Sequence, residues 1–364
     1  MKILFLVSGL GTGGAERTVT YLSEYLAKNG MDAQILSLSN NVFYKPNNNV
    51  RLNTLNIKSQ PENIIERFWL IADRFYKTRK FIKKNHFDVV FCMIPNVAKY
   101  ILNLHKKQGF KLITSERNNP AIELENDEKS LKHKIYMASD GIVFQTQRAR
   151  DFYPDEIRKK GVVIHNAVGN EYVYNCPEVC ERKKKITAIG RVSDQKDYPT
   201  LLKAFKIVLE KHPDYTLEIF GNDSKKDMLK ELLNELEITE NVIFKGVHKD
   251  AILQAADSSC YVMSSKYEGM PNALMEAMAV GLPCVSTDCP NGPAELITSG
   301  ENGLLVPVGD AQALSEAILK MIEDMDFANK CGANARKILE THSVEIKAKE
   351  YMDYILKILS GGNK

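Results

Sequence analysis

At 364 residues the chain is long for one domain and comfortable for two. Apolar residues make up 44% and charged residues 26%, the balance of a globular protein with real cores rather than of a disordered one. A formal net charge of +3 excludes a polycation built for nucleic acid, and no apolar run approaches the length a membrane-spanning helix needs. The seven cysteines are odd in number and scattered, and Cys176, Cys180, Cys284 and Cys289 lack zinc spacing and matching histidines. They read as small buried hydrophobes in a reducing cytosol.

Met1–Val7 reads as a buried strand rather than a leader segment. A glycine-rich turn, Ser8–Gly14, leads into helical periodicity over Glu16–Asn29, with Val19, Leu22, Tyr25 and Leu26 on one face and Gly30 as the stop. Ala33–Leu38 is a second strand, so the chain opens with a βαβ unit. Gly9-x-Gly11-x-x-Gly14 matches a dinucleotide fingerprint in form, but that fingerprint wants an acidic residue after the second strand. Leu38 is followed by Ser39-Asn40-Asn41, which argues against a nicotinamide or flavin enzyme and leaves close backbone approach as the use of the glycines.

Val50–Leu55 reads as a short strand and Ile64–Lys84 as a basic amphipathic helix. Its apolar residues, Ile64, Ile65, Phe68, Ile71, Ala72 and Phe75, predict packing on a sheet as the default. The crowd of cations from Arg67 to Lys84 also fits an anionic membrane surface. Strands follow at Asp88–Ile94 and Lys111–Ser115, and the second leads into Ser115-Glu116-Arg117-Asn118-Asn119-Pro120. Open α/β sheets bind ligands at such strand ends. Gly141–Gln145 and Val162–Ile164 complete a first domain, residues 1–168, and the irregular, charged stretch 169–184 reads as a linker.

A second βαβ array fills residues 185–343, with strands at Lys185–Ile189, Tyr215–Phe220, Asn241–Phe244, Ser259–Met263, Pro283–Thr287 and Gly303–Val306. Gly190-Arg191-Val192-Ser193-Asp194-Gln195-Lys196 follows its first strand. Arg191 and Lys196 can converge on a diphosphate, one as a fork and one as a point charge. Glu268 lies in a loop after the strand ending at Met263, just before a helix. Pro271 suits that helix's first position, Glu276 falls in its second turn, and Gly281 and Pro283 stop it. Two carboxylates beside a helix start whose N–H groups favour an anion suit a polyhydroxy ligand with a phosphate in its middle, such as a nucleotide-sugar.

Glu268, seven residues, then Glu276, followed by Ala-Met-Ala-x-Gly-x-Pro, resembles the signature of the retaining glycosyltransferases of family 4. The resemblance runs from Gly11-Thr12-Gly13-Gly14 to Asn302-Gly303-Leu304-Leu305-Val306. It implies the α/β fold called GT-B, two Rossmann-like domains facing across a cleft that closes on the donor, with helix 344–364 returning to the N-terminal domain. It implies that Arg191, Lys196 and Glu268 are catalytic, that Glu268 holds donor-sugar hydroxyls and that Glu276 holds the ribose. Gly190, Gly269, Met270, Pro271, Asn272 and Ala273 would meet the donor, Val247 would lie beside the base, and Gly13 and Gly14 would approach the donor phosphates or the acceptor. The Ser-Glu-Arg-Asn-x-Pro loop is similar to that of bacterial members that extend surface or polyprenyl-linked glycans. It makes Glu116, Arg117 and Asn118 acceptor-side candidates.

No cofactor and no metal are expected. The one Asp-x-Asp, Asp324-Met325-Asp326, lies between predicted helices and reads as a helix cap. The expected donor is UDP-linked, and the expected location is the cytoplasm or the inner face of the cell membrane. A sugar-nucleotide epimerase, a phosphorylase and a non-catalytic subunit of a glycan assembly complex remain alternatives on the same fold.

Overall fold

The computed structural model describes residues 1–11, 13–58, 60–121, 130–174, 176 and 181–361. Thr12 of the glycine-rich turn, and residues 175 and 177–180 of the expected linker, lie outside them. The chain divides into two compact units, Met1–Ala167 with Val344–Lys364, and Val168–Ser343. The first residues of the expected linker carry a short helix, Glu171–Tyr174, inside the second unit, and its last residues already form strand at Lys183.

In the first unit β1 (Lys2–Val7), β2 (Asp32–Ser37), β3 (Arg51–Thr54), β4 (Val89–Cys92), β5 (Lys111–Glu116), β6 (Gly141–Phe144) and β7 (Gly161–Val163) form one parallel sheet in the order β3-β2-β1-β4-β5-β6-β7. Residues 3–7 of β1 read Ile-Leu-Phe-Leu-Val and are all buried, because both faces of a parallel sheet are covered. Ile3, Phe5 and Val7 face the helix α1 (Gly14–Lys28) and the C-terminal helix Val344–Leu359, while Leu4 and Leu6 face the opposite layer. Polar β3 takes an edge. The C-terminal helix is fastened by Tyr354, whose hydroxyl accepts the Ile142 N–H at 2.9 Å. Gly141 leaves the room, since a Cβ there would stand 2.8 Å from that hydroxyl.

Helix α2 (Ile64–Asn85) departs from the default expectation. Only Thr78 and Ile82 of it are buried, whereas Ile64, Ile65, Phe68 and Trp69 are 71–74% exposed. The reason is length: 22 residues span about 33 Å of helix, while strands of four to six residues cover about 13–20 Å. The first turns overhang the layer that should have covered them. Among the described residues no helix is long and apolar enough to cross a membrane.

The second unit holds β8 (Lys183–Ile189), β9 (Thr216–Phe220), β10 (Val242–Gly246), β11 (Ser258–Met263), β12 (Cys284–Thr287) and β13 (Leu304–Val306), all parallel, in the order β10-β9-β8-β11-β12-β13. Two Rossmann-like sheets in one chain meet the GT-B expectation. In each, the strand order reverses beside the first strand, at β1/β4 and at β8/β11. The loops leaving those strand ends are where an open α/β sheet binds ligands.

Candidate functional site

β8 and β11 are hydrogen-bonded neighbours, so the loops that leave them lie side by side. After β8 the chain runs through Gly190 and Arg191 into a short 3₁₀ turn, Asp194–Lys196, and then the helix Tyr198–Lys211. After β11 it runs through Ser264–Met270 into the helix Asn272–Ala279. The two loops are stitched together by main chain and side chain. Lys266 N–H donates to the Gln195 carbonyl at 2.8 Å, and Ser264 Oγ donates to the Lys196 carbonyl at 2.7 Å. Gln195 Nε2 donates to the Tyr267 carbonyl at 3.0 Å, and Lys266 Nζ pairs with Asp194 at 2.6 Å.

This stitching places Lys196 Nζ 2.7 Å from Glu268 Oε1. The carboxylate is 9% exposed and the lysine side chain 18%. Ser265 Oγ donates to the same Oε1 at 2.6 Å, and Gln195 Nε2 reaches Oε2 at 3.3 Å. Thr287 Oγ1, from the next strand over, holds the Ser265 carbonyl at 2.6 Å. Of the predicted residues, then, Lys196 and Glu268 meet directly, from positions 72 apart in the chain. Ser265, Gln195 and Thr287 were missed, because a short polar side chain beside a carboxylate has no spacing that marks it.

The glycines are explained by this packing. A Cβ on Gly190 would stand 2.8 Å from Lys196 Cε, so Gly190 makes room for the lysine stem. Gly292, at φ +89°, lies against the Gly269 carbonyl and the Pro271 ring, and a Cβ there would collide with both. The Glu268 loop is thereby clamped from behind by residues 290–292, with Glu268 N–H on the Pro290 carbonyl at 3.3 Å.

Pro271 is the N-cap, one position earlier than expected, with φ −79° and ψ 96°. The helix begins at Asn272, and no side chain caps it. Pro271 has no side-chain acceptor to offer the first turn, and a helix N-terminus of this kind favours an anion. Met270 and Pro271 are buried, and Glu276 is half-buried in the second turn. The buried Tyr261 phenol of β11 lies within electrostatic range of both carboxylates. It is pushed well above its ordinary value by burial first, with Glu268 and Glu276 among the charges that add to it. The Cys289 thiol is pushed up to about 12 by burial first and Glu268 next, so it stays a neutral thiol.

The remaining predicted residues are more dispersed. Arg191 is exposed, with its guanidinium 3.3 Å from Gln195 Oε1, and does not touch the Lys196–Glu268 pair. Val247 is 70% exposed on the turn after β10, beside His248, which stacks edge-on to Phe220. Asp324 accepts the Phe327 N–H at 3.0 Å and is a helix cap, as its sequence position suggests.

In the first unit, Gly13 is the N-cap of α1. A Cβ on Gly13 would collide with the Glu16 carboxylate, so an acid of this chain already stands where an incoming phosphate would approach Gly13 and Gly14. Glu116, an expected acceptor-side residue, is 1% exposed. It pairs with Lys132 at 2.7 Å, accepts from Tyr136 and Tyr153 hydroxyls at 3.1 and 2.5 Å, and takes the N–H groups of Arg117 and Asn118. Held in this way, Glu116 shapes its own loop. Arg117 turns inward too, donating to Asn166 Oδ1 at 2.7 Å and Thr18 Oγ1 at 3.1 Å and lying against Met93 Sδ. Asn118 is exposed.

Residues 12–171 match the family model described as glycosyltransferase family 4, and residues 177–338 match the one described as glycosyl transferases group 1. The N-acetylgalactosamine-N,N'-diacetylbacillosaminyl-diphospho-undecaprenol 4-alpha-N-acetylgalactosaminyltransferase of Campylobacter jejuni is 25% identical, over 98% of this chain and 99% of that one. Among solved structures, sucrose-phosphate synthase from Thermosynechococcus elongatus superposes with a TM-score of 0.82 at 17% identity, over 99% of this chain and 100% of that one. Anabaena HepE, solved with UDP and glucose, superposes with a TM-score of 0.78 at 18% identity, over 98% and 99%.

Proposed function

On the premise that this chain is a glycosyltransferase of the GT-B fold, we propose that it moves a sugar from a nucleoside-diphosphate sugar, UDP-linked, to a hydroxyl of a glycan or polyprenyl-linked glycan in bacterial surface-glycan assembly. The observation that carries this reading is the Lys196–Glu268 pair held at the start of an uncapped helix, at the reversal point of the second sheet. Lys196 and the exposed Arg191 take the diphosphate, and the N–H groups of residues 270–273 add to them. Glu268 accepts from hydroxyls of the donor sugar, and Glu276 from the ribose. The bond from the anomeric carbon to the leaving phosphate breaks as the bond to the acceptor oxygen forms on the same face. The acceptor proton passes to a phosphate oxygen, and the configuration is retained. No protein nucleophile and no metal are invoked. The cations stabilise charge that grows on the leaving diphosphate, so they act more strongly on the transition state than on the ground state.

Peripheral attachment to an anionic bilayer belongs to the same reading. Ile65, Phe68, Ala72 and Tyr76 line one exposed side of α2, with Arg67, Lys80, Lys83 and Lys84 exposed beside them. That combination of apolar surface and positive charge suits an anionic interface.

A thermal-shift screen of nucleoside diphosphates is the first test. A ligand at 100 times its Kd stabilises by about 2.7 kcal/mol, and UDP should give the largest shift in the wild type and little in Lys196→Ala. Equal shifts in both proteins, or none with any nucleoside diphosphate, would refute the donor site. Release of UDP from a UDP-sugar only when a glycan acceptor is added is the matching kinetic result.

A further inference from the structure

The first unit holds an open cavity of about 620 Å³ at the amino ends of β5, β6 and β7, the opposite end of the sheet from the loop that follows Glu116. Three connections converge on it: the end of the helix Leu104–Gln108 with Gly109 and Phe110, the end of the helix Leu131–Ala138 with Ser139, and the residues that follow the helix Asp155–Arg158. Each leaves a helix C-terminus, whose last carbonyls favour cations. The charged lining is Lys106, Lys111, Lys159 and Lys160 against Asp140 and Glu156. The buried His105 imidazole also lines the cavity; burial lowers its pKa, so it stays neutral at pH 7.

The ammonium groups are not equivalent. Lys111 pairs with Asp140 at 3.2 Å, and that carboxylate also takes the Leu112 N–H at 2.9 Å. Lys106 and Lys159 are exposed, with their charge open to an incoming anion. Lys160 is half-buried and fixed in place. Its Nζ donates to the Met137 carbonyl, in the last turn of the helix Leu131–Ala138, at 2.6 Å. Its own carbonyl accepts the Ile142 N–H at 3.1 Å and the Tyr354 hydroxyl at 2.5 Å. Burial holds the Lys160 ammonium below its ordinary value; Asp140 opposes that shift and Lys106 adds to it. A lysine attacks carbonyl carbon only as the free amine, and partial desolvation beside another cation is one way a protein favours that form. The same cations attract an anion. A reagent that carries both a phosphate and an electrophilic carbonyl therefore matches both features of the cavity.

We propose that Lys160 is a modification site, acylated by small acyl phosphates whose phosphate is held by Lys106 and Lys159. The Lys160 amine attacks the acyl carbon and forms the C–N bond. The bond from that carbon to the bridging oxygen breaks, inorganic phosphate leaves with the electron pair, and the amine proton passes to water. The product is a neutral amide, so the cavity loses one of its four positive charges. The site does not rest on the transferase reading, since all of its residues lie in the first unit at the amino ends of the strands.

The test exposes the full-length protein to acetyl phosphate and, in parallel, to the uncharged N-hydroxysuccinimidyl acetate, and follows acetylation of each lysine by peptide mass spectrometry. The neutral ester reports the amine alone, and the ratio of the two rates reports recognition of the phosphate. Lys107 is the internal reference: it is exposed on the same helix as Lys106 and does not line the cavity. The ratio at Lys160 should exceed that at Lys107 by about fivefold, the scale of an exposed ion pair, and added salt should narrow the difference. Lys159→Ala and Lys106→Ala should each lower the ratio at Lys160, and the double variant should bring it to that of Lys107. Both side chains are exposed, so the variants keep the fold. Lys106→Ala should also slow the neutral ester at Lys160, because the amine loses a neighbour that favours its free form. A ratio at Lys160 no higher than at Lys107, or one unchanged in the double variant, overturns the site.

Discussion

Lys196→Ala tests the central pair. At 2.7 Å, and with an effective dielectric constant of about 20, the gross attraction between Lys196 and Glu268 is about 6 kcal/mol. Desolvating two side chains that are only 18% and 9% exposed cancels much of it. Removing the lysine leaves a buried carboxylate held by Ser265 and Gln195 alone. Breaking such a pair costs about 3–5 kcal/mol when nothing compensates, and the two remaining donors should reduce that to about 2–3 kcal/mol. Glu268→Ala should cost less, because the more exposed ammonium can turn to water. The double substitution should fall short of the sum by about 1.5 kcal/mol, the coupling of a contacting pair. Urea unfolding followed by circular dichroism reads the stabilities. Donor turnover reads the second consequence, a loss of about 100-fold in Lys196→Ala if the lysine meets the leaving diphosphate. Additivity within about 0.5 kcal/mol together with wild-type turnover would refute both the structural and the chemical argument.

Other consequences are independent of that pair. Glu116→Ala should destabilise the first unit by at least about 2 kcal/mol, since it removes at once the buried ion pair to Lys132 and an acceptor used by the Tyr136 and Tyr153 hydroxyls and by the Arg117 and Asn118 N–H groups; chemical denaturation within 1 kcal/mol of wild type, a margin of about one ordinary hydrogen bond, would contradict it. Trp69, the only tryptophan, is 72% exposed, so its fluorescence should shift to the blue on phosphatidylglycerol vesicles at low salt, less so at high salt or in Ile65→Ser. Gly292→Ala places a side chain at φ +89° against Gly269 and Pro271, and should weaken UDP binding with a stability cost of at least about 1 kcal/mol, read by calorimetry and urea unfolding. Cys260 and Cys289 are both raised from 9.0 to about 12, chiefly by burial. The native state keeps these protons while the unfolded state loses them, so the stabilisation is complete below pH 9 and is lost as pH climbs from there toward 12. Ellman's reagent at pH 8 should leave both thiols unmodified until the protein unfolds.

Much of the fold was legible because a parallel α/β sheet writes itself into local pattern. Runs such as Ile3–Val7 and Tyr261–Met263 are apolar throughout because both faces are covered, and glycines with helical periodicity follow them. The same patterns separated two βαβ arrays and put Glu268 before a helix and Glu276 in its second turn. Local pattern has no access to what lies across a boundary between strands. That Lys196 reaches Glu268, that Ser265 and Gln195 complete the carboxylate's partners, and that Gly190 exists to pass a lysine stem were decided by the pairing of β8 with β11. Tertiary structure likewise turned Glu116 inward, because Lys132, Tyr136 and Tyr153 surround it from other elements. It also left the first turns of α2 uncovered, because a helix of 22 residues outruns the strands beneath it. Periodicity along a chain states which side of an element is apolar; only the arrangement of the other elements determines whether anything is there to meet it.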